Sequence, residues 1–281
     1  MVVVDPGRLA VGIVDVATGT VLVRDRIGAP TREVWRALEQ LVLRVLAAGP
    51  ADAPGPSAVA IACAGPIDET AGSVSPELVP AWSAFPLQAR LAELTGLPTH
   101  LGTIAGALAA GEHRYGDVPG TSTHFTLILD QSIESACLID GVRLRGAHGN
   151  AGSLAHTVVD PGGPTCVCGA AGCLASLASA SALEAEMNRP LRRATPSIVE
   201  RTGIMVGRAI ASAAAVFDVS TFLLSGSVVD TFGDAMMATV RREVGDRSRL
   251  GHLDGLRIIE PSGFLRPLQA AAALVPDGGP G

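Results

Sequence analysis

Apolar residues along this chain follow two rhythms, and the switching between them predicts the elements. Residues 2–4 and 10–15 are short apolar runs on either side of a Pro6-Gly7 turn, and 20–26 is a third; all three read as strands. Between residues 31 and 47 the rhythm changes. Val34, Leu38, Leu41, Val42 and Val45 recur at the spacing of one helix face, with Thr31 placed to act as N-cap. The Pro/Gly/Ala-rich stretch 49–56 reads as a loop, and 58–63 as a buried strand ending at the turn Ala64-Gly65-Pro66. Helices follow at 87–94 and 104–114, the second rich in small residues suited to close packing. Two strands, 124–129 and 136–139, are joined by the polar run Asp130-Gln131-Ser132-Ile133-Glu134-Ser135. Helices at 180–187, 195–217 and 229–244 then alternate with strands at 221–224 and 256–259, and a terminal helix lies near 267–275. Strands alternate with helices in both halves, which is the signature of an α/β architecture, with no low-complexity linker between independent domains.

Composition narrows the function classes. The chain has 281 residues, enough for one large domain or two of ordinary size. It is 48% hydrophobic but only 3% aromatic, so its core is built from Ala, Val and Leu. The chain has arginine but no lysine, which removes lysine as a phosphate ligand or covalent catalyst. A net charge of -6 gives no basic footprint for nucleic acid. No stretch has the length of an apolar spanning helix, and the first residues read as a strand and turn rather than a signal peptide.

Candidate chemistry concentrates in the run AHTVVDPGGPTCVCGAAGC. His156, Cys166, Cys168 and Cys173 offer three sulfurs and one nitrogen, the donor set that zinc prefers. Three of the five cysteines fall within eight positions, which sets aside a chance cluster. Cys166 and Cys168 are too close in sequence to bridge one another, and Gly163, Gly169 and Gly172 let the loop wrap an ion. With all four positions filled by protein atoms, no place is left for a catalytic water, so the expected zinc is structural. Thiolate ligands and free cysteines also indicate a reducing compartment, the cytoplasm.

The same run, with its Gly-Ala-Ala-Gly-Cys end, resembles the ROK family of sugar kinases and repressors. Two further stretches carry the likeness: Ala62-Cys63-Ala64-Gly65-Pro66-Ile67-Asp68, and the lead-in Leu144-Arg145-Gly146-Ala147-His148-Gly149-Asn150-Ala151-Gly152. The resemblance implies an actin-like (ribonuclease H-like) two-lobed sugar-kinase fold, an interlobe cleft and a homodimer. It places an N-terminal lobe at 1–103, completed by a C-terminal helix at 264–275. The C-terminal lobe would be 104–263 with the zinc loop 156–173, and 276–281 a disordered tail. The family's repressors carry a helix-turn-helix module ahead of this body, whereas here the opening residues already read as a strand.

Against that resemblance the chain departs at each catalytic part. The family's proton-accepting aspartate belongs to an Asn-Asp pair that opens a helix; alignment back from Glu112-His113-Arg114-Tyr115-Gly116 puts the pair on Thr103 and Ile104. Isoleucine accepts no proton, and loss of a general base costs roughly 10²–10⁴-fold. The glycine-rich phosphate turns are replaced by Asp5-Pro6-Gly7-Arg8-Leu9, by Asp130-Gln131-Ser132-Ile133-Glu134-Ser135-Ala136 and by Ser225-Gly226-Ser227. Carboxylates at the second turn repel polyphosphate, so ATP-Mg is not expected as a cofactor. The family's sugar-binding carboxylates fall on Ser153 and Ala175, and its asparagine on Glu77, while His156 persists.

Two readings follow. In the first, the protein no longer phosphorylates sugars and binds a small neutral or cationic ligand in the cleft, through Glu77, Thr103, His148, Ser153 and His156. In the second, the fold serves an enzyme that works without ATP, with Asp130 and Glu134 as acid and base. The ordinary account of that polar run, a solvated loop between strands, stands beside the second. An active glucokinase-like enzyme is the third.

Overall fold

A computed structural model describes residues 1–276, except 6, 51–53, 78, 248, 250, 264 and 265. Pro6 of the Pro6-Gly7 turn, part of the loop 49–56, and the tail 276–281 beyond Pro276 therefore lie outside the described residues. The chain forms two compact units: Met1–Pro119 with Gly141–Ala151 and the residues from Ser262 onward, and Gly120–Asp140 with Gly152–Pro261.

The first unit is built on β1 (Val2–Asp5), β2 (Arg8–Val14), β3 (Val21–Gly28), β4 (Val59–Cys63) and β5 (Thr99–Thr103), in spatial order β3-β2-β1-β4-β5. β1 to β3 are antiparallel neighbours, and β4 and β5 run parallel to β1. Burial follows position. Every residue of β4 is buried, as a strand covered on both faces requires, whereas edge strand β3 alternates half-buried and exposed residues. β5 is missing from the sequence reading because Thr-His-Leu-Gly-Thr has neither a clear alternation nor an apolar run; the parallel ladder to β4 makes it a strand.

Helices α1 (Val34–Ala47), α2 (Leu87–Thr95) and α3 (Ile104–Tyr115) pack in the same unit. α1 buries the five residues whose spacing predicted it. Its start differs from expectation. Glu33, in the left-handed region at φ 53°, holds the N-cap position without a side-chain bond, so Thr31 lies too far upstream to reach the first-turn amides. The C-terminal segment is shorter than expected too: a helix over Pro267–Ala270 passes into a 3-10 turn over Ala271–Leu274. Two glycines admit this segment to the sheet. A Cβ on Gly12 would sit 2.6 Å from a Leu268 methyl, and one on Gly102 would sit 2.9 Å from a Leu274 methyl. The expected lobe boundary at residue 103 moves accordingly. α3 packs beside the C-terminal helix and the 3-10 turn, so the first unit runs on to Pro119 and takes 141–151 with it.

The second unit holds β6 (His124–Leu129), β7 (Ile133–Ile139), β8 (Thr221–Ser225) and β9 (Arg257–Ile259), in spatial order β7-β6-β8-β9. β7 begins at Ile133, not at residue 136. The ladder pairs Leu129 with Ile133 and Ile128 with Glu134, which leaves only Asp130, Gln131 and Ser132 as the turn. Around the sheet lie α4 (Leu174–Ala178), α5 (Ala180–Met187), α6 (Pro196–Phe217) and α7 (Ser227–Arg247), the last broken at Gly233. Phe125 stacks on Phe222 at 5.6 Å and meets Phe217 edge-on at 5.2 Å, an aromatic cluster in the core of this unit. Among the described residues, no helix is long and apolar enough to cross a membrane.

Candidate metal centre and ligand residues

His156, Cys166, Cys168 and Cys173 converge, with their ligand atoms all within 4.8 Å of one another. Main-chain bonds fold the loop that does this. Val159 N and Asp160 N donate to Gly172 O at 2.9 and 3.2 Å, Gly172 N donates to Pro164 O at 2.8 Å, and Cys166 N donates to Ala170 O at 2.7 Å. Gly172 is the residue the fold cannot change. It has φ +71°, and a Cβ there would lie 1.5 Å from Asp160 O. The loop is also moored to a helix, since Arg208 of α6 donates through Nη1 to Val159 O at 2.8 Å.

The donor geometry fits a tetrahedral ion. Cys168 Sγ lies 3.6 Å from Cys173 Sγ, and Cys166 Sγ lies 3.5 Å from His156 Nδ1. A zinc ion with ordinary bond lengths would give tetrahedral edges of about 3.8 Å between sulfurs and about 3.5 Å between sulfur and nitrogen. Burial pushes the Cys173 thiol up to about 12, so this sulfur ligates as thiolate only with a cation beside it. The exposed Cys168 is lowered instead, chiefly by the hydrogen bond from Ala170 N.

The residues proposed for ligand or acid-base roles are distributed over both units. In the second unit Asp130 is engaged: its Oδ1 accepts from Ser227 Oγ at 2.6 Å and from Gln131 N at 3.0 Å. The turn is tied further by Ser181 Oγ donating to Gln131 O at 2.6 Å and by Ala180 N donating to Asp130 O at 2.8 Å. Glu134 stands half-buried on β7, and Ser153 is exposed. In the first unit Thr103 is buried and caps α3, its Oγ1 accepting from Gly106 N at 2.9 Å. His148 is exposed and lies 3.5 Å from Asp68, whose carboxyl is held below its usual range, mainly by the amide of Ala71. Glu77 is exposed.

The structure also assigns work to residues that sequence reasoning passed over. Ser135 Oγ donates to Gly152 O and accepts from Leu154 N, both at 2.7 Å, and so fixes the backbone on either side of Ser153. Asn150 clamps Ile67, accepting from its N at 2.9 Å and donating to its O at 2.6 Å. Glu69, nearly fully buried, pairs with Arg143 and with Arg145. None of these pairings has a sequence signal, because each joins segments at least 17 residues apart.

Comparison with known proteins completes the picture. The sequence model described as the ROK family matches residues 3–253. The chain is 35% identical over 143 residues to the glucokinase of Thermotoga maritima, a match spanning 50% of this chain and 45% of that protein. It is 25% identical over 241 residues to the N-acetylmannosamine kinase of Haemophilus influenzae, spanning 80% and 79%. Among solved structures, the ROK hexokinase from Thermus thermophilus superposes with a TM-score of 0.81 at 26% identity, covering 97% of this chain and 95% of that one. A ROK-family transcriptional regulator, homologous to the E. coli Mlc protein, superposes with a TM-score of 0.82 at 20% identity, covering 97% and 76%; that likeness speaks to fold alone. The fold is the actin-like two-lobed α/β fold of the sugar kinases.

Proposed function

Since the chain belongs to the ROK family, we propose that it is a member that has lost ATP-dependent sugar phosphorylation and binds a small neutral or cationic ligand at the positions of the family's sugar site. The observation that carries this reading is the start of α3. Where the family places its proton-accepting aspartate, this helix opens with Ile104, capped by Thr103 and with no acidic residue in its first turn. A sugar hydroxyl brought there meets no carboxylate from this turn to accept its proton. The three-residue turn at 130–132 adds support, because Asp130 places a carboxylate at the start of α7 where an incoming polyphosphate would meet a like charge.

The metal in this reading is a structural zinc held by His156, Cys166, Cys168 and Cys173. It would fix the loop that carries His156 and take no part in catalysis. Family membership and the net charge of -6 extend the proposal to a cytoplasmic homodimer with no nucleic-acid partner. Asp130 Oδ1 accepts from both Ser227 and Gln131, which holds the carboxylate in a structural role and disfavours the alternative of an ATP-independent enzyme using it as a base.

Active sugar phosphorylation is the second reading, favoured by the 35% identity to a glucokinase over half the chain. Calorimetric titration of the zinc-replete protein with ATP-Mg²⁺, alongside a phosphorylation assay on glucose and N-acetylmannosamine, separates the two. We expect no nucleotide binding at millimolar concentration and no turnover. Micromolar binding or measurable phosphorylation would establish the kinase reading instead.

A further inference from the structure

A cavity of about 600 Å³ opens on the first unit, walled by the β2–β3 hairpin, strand β3, the end of α3 and the C-terminal helix. Its volume falls within the range of small-ligand sites, roughly 300–1,000 Å³. The walls are held in place before any ligand arrives. Within the hairpin, Gly19 N donates to Asp15 O at 2.8 Å and Asp15 N donates to Thr20 O at 2.9 Å. Tyr115 Oη donates to Val16 O at 2.7 Å, and Gly19 lies against the tyrosine ring, where a Cβ would meet it at 3.2 Å.

The polar groups facing this cavity are donors. Arg24 contributes a guanidinium, and among the described residues no carboxylate pairs with it. Thr18 Oγ1 gives its proton to Thr20 Oγ1 at 2.8 Å, which leaves the Thr20 hydroxyl its own proton to donate. Gln269 Oε1 is taken by Arg266 N at 3.1 Å, which leaves the amide NH₂ to donate. Among the described residues no Asp or Glu lines the cavity, although the chain as a whole carries a net charge of -6. A concave wall with a guanidinium, an amide and a hydroxyl, and no acid, selects for an anion with several oxygens.

We propose that this pocket is a binding site for a small hydroxylated oxyanion, a phosphate monoester or a hydroxycarboxylate, with Arg24 taking the anionic group and Thr20 and Gln269 the remaining oxygens. Its lining shares no residue with the zinc loop or with the positions assigned above to the family's sugar site, and the proposal does not rest on the loss of kinase activity. Its occupancy would make the first unit responsive to an anionic metabolite.

Titration calorimetry on the zinc-replete full chain tests this, with glycerol 3-phosphate, citrate and inorganic phosphate as probes and glycerol as the neutral control. The expected result is saturable binding of at least one oxyanion, weakened about tenfold or more by Arg24→Met, the size of one lost charge-assisted contact. Arg26→Met, which removes a neighbouring charge that does not line the pocket, should leave binding intact, and thermal melts confirm that both variants fold. Preference for glycerol 3-phosphate or for citrate identifies which source of oxyanion the pocket takes. The proposal fails if no probe saturates at millimolar concentration, if Arg24→Met binds as the parent does, if Arg26→Met weakens binding equally, or if glycerol binds as well as the anions.

Discussion

At Gly172 the requirement for one residue type comes from a single atom. A side-chain carbon would sit 1.5 Å from Asp160 O, inside any van der Waals contact, so the loop has to open to admit it. Gly172→Ala is therefore expected to release the metal: zinc content per chain, measured after gel filtration, should fall from near one to well below half. Retention of full zinc would show that the loop can relax. The sequence showed that glycines are needed in this loop, but not which one carries the burden. Gly169, also at positive φ, has open space around its Cβ position and needs glycine for its backbone alone. Asp130 teaches the complementary lesson. As a letter it reads as a candidate base; its partner, Ser227, is 97 residues away, and only the folded chain reveals that one of its oxygens is engaged.

Elements were legible where packing is regular. α1 and α6 appear nearly as their apolar spacing predicts, because a continuous face against a core imposes the 3.6-residue period. β7 was read three residues short because Glu134 and Ser135 looked like loop chemistry, while the ladder to β6 supplies strand geometry whatever the side chains. The close approach of α6 to α7 was not legible. On α6, Gly203 and Gly207 face α7, and a Cβ at 207 would fall 2.7 Å from the Cβ of Glu243. Gly207→Val should force the two helices to move apart and cost about 1–3 kcal/mol, the usual penalty of overpacking. Urea denaturation reads this directly; a change within error would mean that the pair has slack.

Across the whole molecule, the metal loop and the surface charges set the dependence on conditions. Chelation is expected to lower Tm on the order of 5 °C or more, since binding to the folded state alone stabilises it, and added zinc should restore it. Unchanged Tm after verified zinc removal would separate the loop from global stability. The carboxyls of Asp25, Asp68 and Glu186 are held below their ordinary values. Arg44 is the main cause for Asp25, the Ala71 amide for Asp68 and Arg201 for Glu186. For a depressed carboxyl, the stabilisation is complete above its unfolded value and disappears as pH falls through the folded one. Tm should thus hold steady above about pH 5 and decline below about pH 4, modestly, because these pairs are largely exposed. A decline already present at pH 6 would point to other groups.

By itself the sequence determined the α/β alternation, the four clustered metal-ligand candidates and the family. Each of these is written in local spacing: apolar rhythm for the elements, and donors clustered within one loop for the metal. The tertiary structure decided which polar residues are left to act. It engaged Asp130 with Ser227, set Thr103 to cap α3, used Ser135 to hold the backbone around Ser153, and brought Arg24, Thr20 and Gln269 around one cavity. Those outcomes depend on contacts between segments far apart in sequence. No periodicity encodes them, because a hydrogen bond needs only a donor and an acceptor that folding brings together.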